Sequence, residues 1–199
     1  MEFIAHRINT IDDLQNVPVS FGVELDLRDY GDRLVLNHDP FTGGEDFSLY
    51  LKHYRHGTMI INVKSEGVEY RALELLKENH IENFFFLDSS FPMIVRLGGE
   101  GENRLAVRYS EYEGIETVMA SRGRAQWVWV DCFTTFPLEK PDFDMLKEAG
   151  FRVCLVSPEL QAREQDIELI AGLLAERRIL PDAICTKMRN IERWRAAPG

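Results

Sequence analysis

The chain reads as a (β/α)8 barrel, a ring of parallel strands covered by the helices that connect them. Three observations carry that reading: apolar runs of strand length recur along the whole sequence, most are continuous rather than alternating, and helical spacing fills the stretches between them. Continuous apolar strands belong where both faces are covered. Strand then helix, repeated about eight times, implies parallel pairing through crossovers.

Taken in order, the runs are Phe3–Ala5, Val23–Leu27, Leu34–Leu36, Met59–Val63, Phe84–Leu87, Leu105–Val107, Trp127–Val130, Val153–Val156 and Ala183–Cys185. Leu34–Leu36 follows the second run so closely that a hairpin extension replaces a clean helix there. Helices are expected over Val68 to His80, where Leu73, Leu75 and Leu76 sit among Glu and Lys, and over the short Ile115 to Ala120. Two more are expected over Phe143 to Ala149, stopped by Gly150, and over Asp166 to Arg178, with Ile167, Ile170, Ala171 and Leu174 at helical spacing. Barrels of this class usually take about 250 residues, with roughly 200 the low end, so this one is compact, with some helices shortened or missing. The stretches after the second and fifth strands look the most abbreviated. A doubly wound open sheet would place a Gly-rich turn after the first strand, and that turn is absent.

At 45% hydrophobic and without a linker rich in Pro, Gly or Ser, residues 1–199 are expected to form one domain around one core. The formal net charge of −10 argues against a grip on nucleic acid or on an anionic membrane surface, since both need clustered Lys and Arg. The N-terminus is charged at once and lacks an apolar stretch of about seven residues, so no signal peptide is expected. Nowhere do about 18 apolar residues run together, so no membrane span is expected and the cytoplasm is the expected location. Cys132, Cys154 and Cys185 lack CxxC spacing and read as buried free thiols. The tail from Arg193 to Gly199 reads as frayed.

Chemistry gathers at the strand ends. The two-residue period puts Glu24, Asp26 and Arg28 on one face of the second strand. Burying an unpaired carboxylate is costly, so two pointing the same way indicate either a cation between them or a wet cleft above them. Reading each run to its end adds His6 and Arg7, Asn62 and Lys64, Asp88, Arg108, Asp131, Ser157, and Thr186 with Lys187. A barrel builds its active face from these C-terminal strand ends. His53 and His56 could share a helical face, although a helix end with Gly57 as its cap is the simpler reading. Trp127-Val128-Trp129 reads as packing, with Trp129 or Phe133 available to stack on an apolar part of a substrate.

The ordered set His6-Arg7, Glu24-x-Asp26, His38-Asp39 and Asn62-x-Lys64 resembles the glycerophosphodiester phosphodiesterase family and the wider group of phospholipase-C-like phosphodiesterases. The resemblance covers the first third of the chain by motif and the rest by strand rhythm. It implies a TIM barrel, a bound Mg²⁺ or Ca²⁺, and hydrolysis of a small or lipid-derived phosphodiester. It further implies that His6 and His38 are the acid–base pair, that Glu24 and Asp26 are metal ligands, and that Arg7 and Lys64 contact the phosphate. Arg28 would join them in attracting the anionic diester. Two positions depart from the family pattern. Ile8 follows Arg7 where Gly is usual, and Asn62 stands where a third carboxylate ligand is expected. An Asn carbonyl still ligates a hard cation but brings no charge, and Asp88 or Asp131 are the candidates to supply the missing carboxylate.

These residue types suit one reaction. Attack on a phosphodiester by water or a neighbouring hydroxyl needs one group to take a proton and another to protonate the departing alkoxide, and two imidazoles serve both ends. The cation and basic side chains would stabilise the phosphoryl oxygens. The alternative is a catalytically impaired barrel that binds a phosphorylated ligand or partner.

Overall fold

A computed structural model of the chain describes residues 1–196. In chain order its strands are β1 (Glu2–Ala5), β2 (Gly22–Tyr30), β3 (Arg33–Leu36), β4 (Glu45–Asp46), β5 (Met59–Val63), β6 (Phe84–Leu87), β7 (Ala106–Tyr109), β8 (Trp127–Val130), β9 (Arg152–Val156) and β10 (Ala183–Thr186). Parallel ladders join β1 to β2, β2 to β5, β5 to β6, β7 to β8, β8 to β9, β9 to β10 and β10 back to β1. One bridge between Phe86 and Leu105 closes the ring between β6 and β7, where the Phe86 N–H donates to the Arg104 carbonyl at 2.9 Å. The expected barrel is therefore present. β3 and β4 form the expected hairpin, pairing antiparallel with the part of β2 from Leu27 to Tyr30.

The continuous apolar strands make two cores, one on each face of the ring. Inside lie Ile4, Ile60, Phe85, Leu87, Ala106, Trp127, Trp129, Cys154, Val156, Ala183 and Cys185. Phe85 stacks on Trp127 with ring centroids 4.5 Å apart, and the Arg152 guanidinium sits 4.0 Å from the Trp127 ring. The alternate residues, such as Val23, Leu25, Met59, Ile61, Val128 and Val153, pack outward against the helices. That double burial explains why the strands carry no polar alternation.

The helices are α1 (Ile11–Gln15), α2 (Phe47–His53), α3 (Glu69–Glu78), α4 (Phe91–Gly99), α5 (Ile115–Ala120), α6 (Lys140–Glu148), α7 (Ile167–Glu176) and α8 (Ile191–Ala196). Four match the expected segments to within a few residues. α4 was unmarked by apolar spacing, yet the Ser90 hydroxyl accepts the Met93 N–H and Pro92 occupies the first turn, a start signal written in the sequence. α2 is capped by Asp46 and ends at Tyr54 rather than Gly57. His56 lies beyond it and points Nε2 at the Val17 carbonyl, 2.9 Å away, so the two histidines share no helical face.

The tail also differs from expectation. Arg193 to Ala196 belong to α8, and Trp194 is buried in the outer core, its indole N–H donating to the Ser157 hydroxyl at 2.8 Å. Residues 197–199 lie outside the described residues. The three cysteines are buried and free, and among the described residues no helix is long and apolar enough to cross a membrane. Removing a buried Trp ordinarily costs about 3–5 kcal/mol. Trp194→Ala should lose that much in urea unfolding, and a loss under about 1 kcal/mol would show that α8 contributes little to the barrel.

Candidate active site at the barrel mouth

The site begins where β1 ends. The His6 N–H extends the ladder to the Thr186 carbonyl at 2.9 Å, and Arg7 then turns the chain with φ 57°. Residues other than glycine rarely adopt that left-handed conformation, and where they do the surroundings must hold it. Here the turn delivers the Arg7 N–H to Glu24 Oε2 at 2.7 Å. Asn9 follows, donating Nδ2 to Asp26 Oδ2 at 2.9 Å and accepting the Asp26 N–H at 2.8 Å. Ile8, at the position where Gly was expected, is a buried core residue, and the unusual φ falls on Arg7 instead.

Glu24 and Asp26 are each 1% exposed, pointing from β2 into the barrel. Each carboxylate oxygen meets a donor or a cation. Asn62 Nδ2 lies 3.0 Å from Glu24 Oε1, and His6 Nε2 lies 3.7 Å from Glu24 Oε2. Lys64 Nζ is 3.4 Å from Asp26 Oδ1, and Arg7 Nε is 3.5 Å from Asp26 Oδ2. Burial, reinforced by the Asp26 charge, pushes Glu24 above the usual carboxylate range, against the pull of its bonds from Asn62 and Arg7. Burial, helped by the Arg7 charge, holds His6 down to about 4, so its ring is neutral at neutral pH.

The third position of the expected ligand set is Asn62, directly across from Asp26 in the β2–β5 register. Its Oδ1 is buried without a hydrogen-bond partner among the described residues. Glu24, Asp26 and this orphaned carbonyl are hard oxygen donors on adjacent strands, a set that fits Mg²⁺ or Ca²⁺. No group of three or more His, Cys, Asp or Glu side chains suited to a metal occurs among the described residues. Asp88 and Asp131 both grip Arg108 instead, at 2.7 and 2.6 Å.

His38 stands on the loop after β3, its ring nearly half exposed and 2.9 Å from the Asp39 carboxylate, which that bond holds below its ordinary range. Arg28 fastens this loop to the barrel, donating to the carbonyls of His38 at 2.9 Å and Lys64 at 3.4 Å. It is buried, and these two bonds to backbone hold the loop in place.

Two carboxylates escaped the sequence reading. Glu159 is buried, accepting the Thr186 hydroxyl at 2.5 Å, the Lys187 N–H at 2.9 Å and the Ser157 hydroxyl, which ties together the ends of β9 and β10. Glu111 accepts the N–H groups of Phe133, Thr134 and Thr135 at 3.2, 2.6 and 2.6 Å and clamps the loop after β8 to the loop after β7. Only their position just past a strand end marked them. The clamp walls one side of a cavity of about 580 Å³ that starts at His6, Arg7 and Asn62 and runs to Arg108, Trp129 and Phe133.

The fold has counterparts among solved structures. It is similar to the crystal structure of a glycerophosphodiester phosphodiesterase from Agrobacterium tumefaciens str. C58, at 14% identity over 93% of this chain and 96% of that one, with a TM-score of 0.64. It is also similar to a structure from the same strain assigned provisionally as a glycerophosphoryl diester phosphodiesterase, at 12% identity over 98% and 97% of the two chains, with a TM-score of 0.69. At these identities the likeness establishes a shared barrel fold. No protein-family model matches the chain, and no curated protein sequence does.

In cation-free buffer the His6 ring should titrate near pH 4 by NMR, and Arg7→Gln should raise that midpoint by removing a nearby positive charge. A midpoint at the ordinary imidazole value of about 6.5 would mean that the ring is solvated. Burial alone would raise Glu111, but the N–H groups of Thr135 and Thr134 bring it down to about 2 from 4.5. Its stabilising contribution is therefore complete above pH 4.5 and lost as pH falls toward 2. Glu111→Gln should remove that share of the acid dependence, measured as denaturation midpoint against pH.

Proposed function

We propose that this barrel hydrolyses a phosphodiester of a small or lipid-derived alcohol, with His6 and His38 moving the protons and a divalent cation held by Glu24, Asp26 and Asn62. One observation carries the reading. Side chains and backbone from the ends of β1 and β5 converge on the buried Glu24–Asp26 pair of β2, with contacts of 2.7 to 3.7 Å from Arg7, Asn62, Lys64 and His6.

The roles follow from position and charge. Neutral His6, at the floor of the cleft, accepts a proton from the attacking water or neighbouring hydroxyl. His38, carried on its pinned loop, protonates the departing alkoxide. Arg7, whose side chain is half exposed, and Lys64 offer positive charge to the phosphoryl oxygens. Mg²⁺ or Ca²⁺, when bound, supplies Lewis-acid stabilisation of those oxygens. The three buried thiols are consistent with work in a reducing cytoplasm.

A second reading rests on the completeness of the site as it stands. Because each oxygen of Glu24 and Asp26 already meets a protein donor, the barrel could hold a phosphorylated ligand through Arg7 and Lys64 without turnover. Kinetics and calorimetry separate the two. Hydrolysis of glycerophosphodiesters in Mg²⁺ or Ca²⁺ should fall by about 10²- to 10⁴-fold in His6→Ala and in His38→Ala. Cation binding should vanish in Glu24→Gln and tighten by about tenfold in Asn62→Glu, which restores ligand charge. Glycerol phosphate bound without any cation, and no turnover of any diester, would leave only the binding barrel.

A further inference from the structure

One cation at the barrel mouth is uncommitted. Arg7 and Lys64 stand 3.5 and 3.4 Å from Asp26, Arg108 stands 2.6 Å from Asp131, and Arg28 donates to backbone carbonyls. Lys187, the first residue past β10, differs. Among the described residues its Nζ makes neither an ion pair nor a hydrogen bond, while its backbone is fixed on both sides: the N–H donates to Glu159 at 2.9 Å and the carbonyl accepts the Asn190 N–H at 2.8 Å. Strand register sets where the side chain goes. Ile4 of β1 lies opposite Cys185 of β10, both inside the ring, and the His6 N–H carries the ladder on to the Thr186 carbonyl at 2.9 Å. Two residues beyond that inward pair, His6 and Lys187 return to the inner side, and with Arg7 and Leu160 they line a recess of about 270 Å³.

We propose that Lys187 is a third contact for the phosphate, gripping from the β10 side the group that Arg7 and Lys64 meet from β1 and β5. The inference rests on the hydrolytic reading above for the identity of that group, and on the recess for its location. The recess is smaller than the roughly 300–1,000 Å³ that whole small-molecule ligands occupy, so it suits one tetrahedral anion rather than an alcohol arm. Two of its four lining side chains are cations and none is acidic, whereas the larger cavity beyond His6 includes Glu113 and Asp131 alongside Arg108. Count alone does not attract an anion, because Glu24, Asp26 and Glu159 offset Arg7, Lys64 and Lys187. Placement does. The three carboxylates are 1%, 1% and 4% exposed, and Glu159 is turned to the Ser157 and Thr186 hydroxyls, while Arg7 and Lys187 reach the cleft. An anion entering the recess therefore meets these two cations at shorter range than the acids behind them. A primary ammonium with three donors and no protein acceptor suits phosphoryl oxygens. The phosphomonoester formed by hydrolysis carries about −1.5 to −2 charge at neutral pH against about −1 for the diester, so the same cations retain the product more tightly.

Inorganic phosphate is the first probe, with the full chain in cation-free buffer. Calorimetry should show phosphate binding that weakens by about tenfold in Lys187→Gln and returns to within about threefold in Lys187→Arg, since the effect follows the charge. Both variants keep the N–H that Glu159 holds, so their urea unfolding midpoints should match the parent. With Mg²⁺ or Ca²⁺ present, Lys187→Gln should raise the KM for glycerophosphodiesters by about tenfold and leave kcat within about threefold, as expected of a contact made equally before and during reaction. Glycerol phosphate should inhibit competitively, with a Ki that rises in Lys187→Gln in step with KM. No phosphate bound by the parent chain, affinity unchanged in Lys187→Gln, or affinity lost equally in both variants would overturn the inference while leaving the hydrolytic reading intact. Phosphate affinity that follows the charge of Lys187, with no diester cleaved, would uphold the contact and sink the hydrolytic reading.

Discussion

The structure of the barrel mouth is governed by two carboxylates that share one face of one strand and almost no solvent. Ionised groups in such a place are costly unless each lone pair finds a donor, and the neighbouring elements supply those donors one by one. Just past β1 the chain turns at Arg7 with φ 57°, and that turn aims the Arg7 N–H at Glu24. The following segment folds back so that Asn9 can hold both the backbone and the side chain of Asp26. From Asp26 the compensation spreads as alternating charge around the rim. Lys64 lies between Asp26 and Asp88 at 3.4 and 4.0 Å, and Arg108 between Asp88 and Asp131 at 2.7 and 2.6 Å. The two ends of the cleft are thereby one electrostatic unit, and altering either should be felt at the other.

How much of this was legible depended on how local the signal is. The barrel was legible because double burial leaves continuous apolar runs, and the face shared by Glu24 and Asp26 follows from the strand period alone. α1, α2 and α4 were harder: short helices on a barrel carry few apolar turns, and their caps, such as Ser90 and Asp46, are single residues. The tail misled for a similar reason. Trp194 is one aromatic among charged neighbours, and only its neighbours in space reveal that it is buried. The bonds from Arg28 to the His38 and Lys64 carbonyls were not legible, since those partners are brought to it by the hairpin and by β5.

The second half of the site was less legible than the first. The histidine, carboxylate and lysine motifs fall in the first third of the chain, where spacing and order can be compared. Arg108, Asp131, Glu111 and Glu159 find most of their partners 20 to 30 residues away, on strands that meet only once the ring closes. None has a spacing that sets it apart from an ordinary charged loop residue. The cavity they build is a product of closure and has no linear signature.

Asn62 ties these threads together. A carboxylate there would put a third buried negative charge beside Glu24 and Asp26, a cluster that only a tightly held cation could stabilise. The amide changes the balance in both directions. Its N–H restrains Glu24 whether or not an ion is present, so the mouth keeps its shape empty. Its carbonyl, without a hydrogen-bond partner among the described residues, still offers a hard oxygen across the β2–β5 register. A site built this way should accept a cation weakly and reversibly rather than depend on one to fold. On the proposed reading, Lys64 and Arg7, the fixed positive charges at the rim, then bear more of the task of holding the phosphate. Compared with a carboxylate at the same position, the amide thus moves the site toward electrostatics supplied by the chain itself.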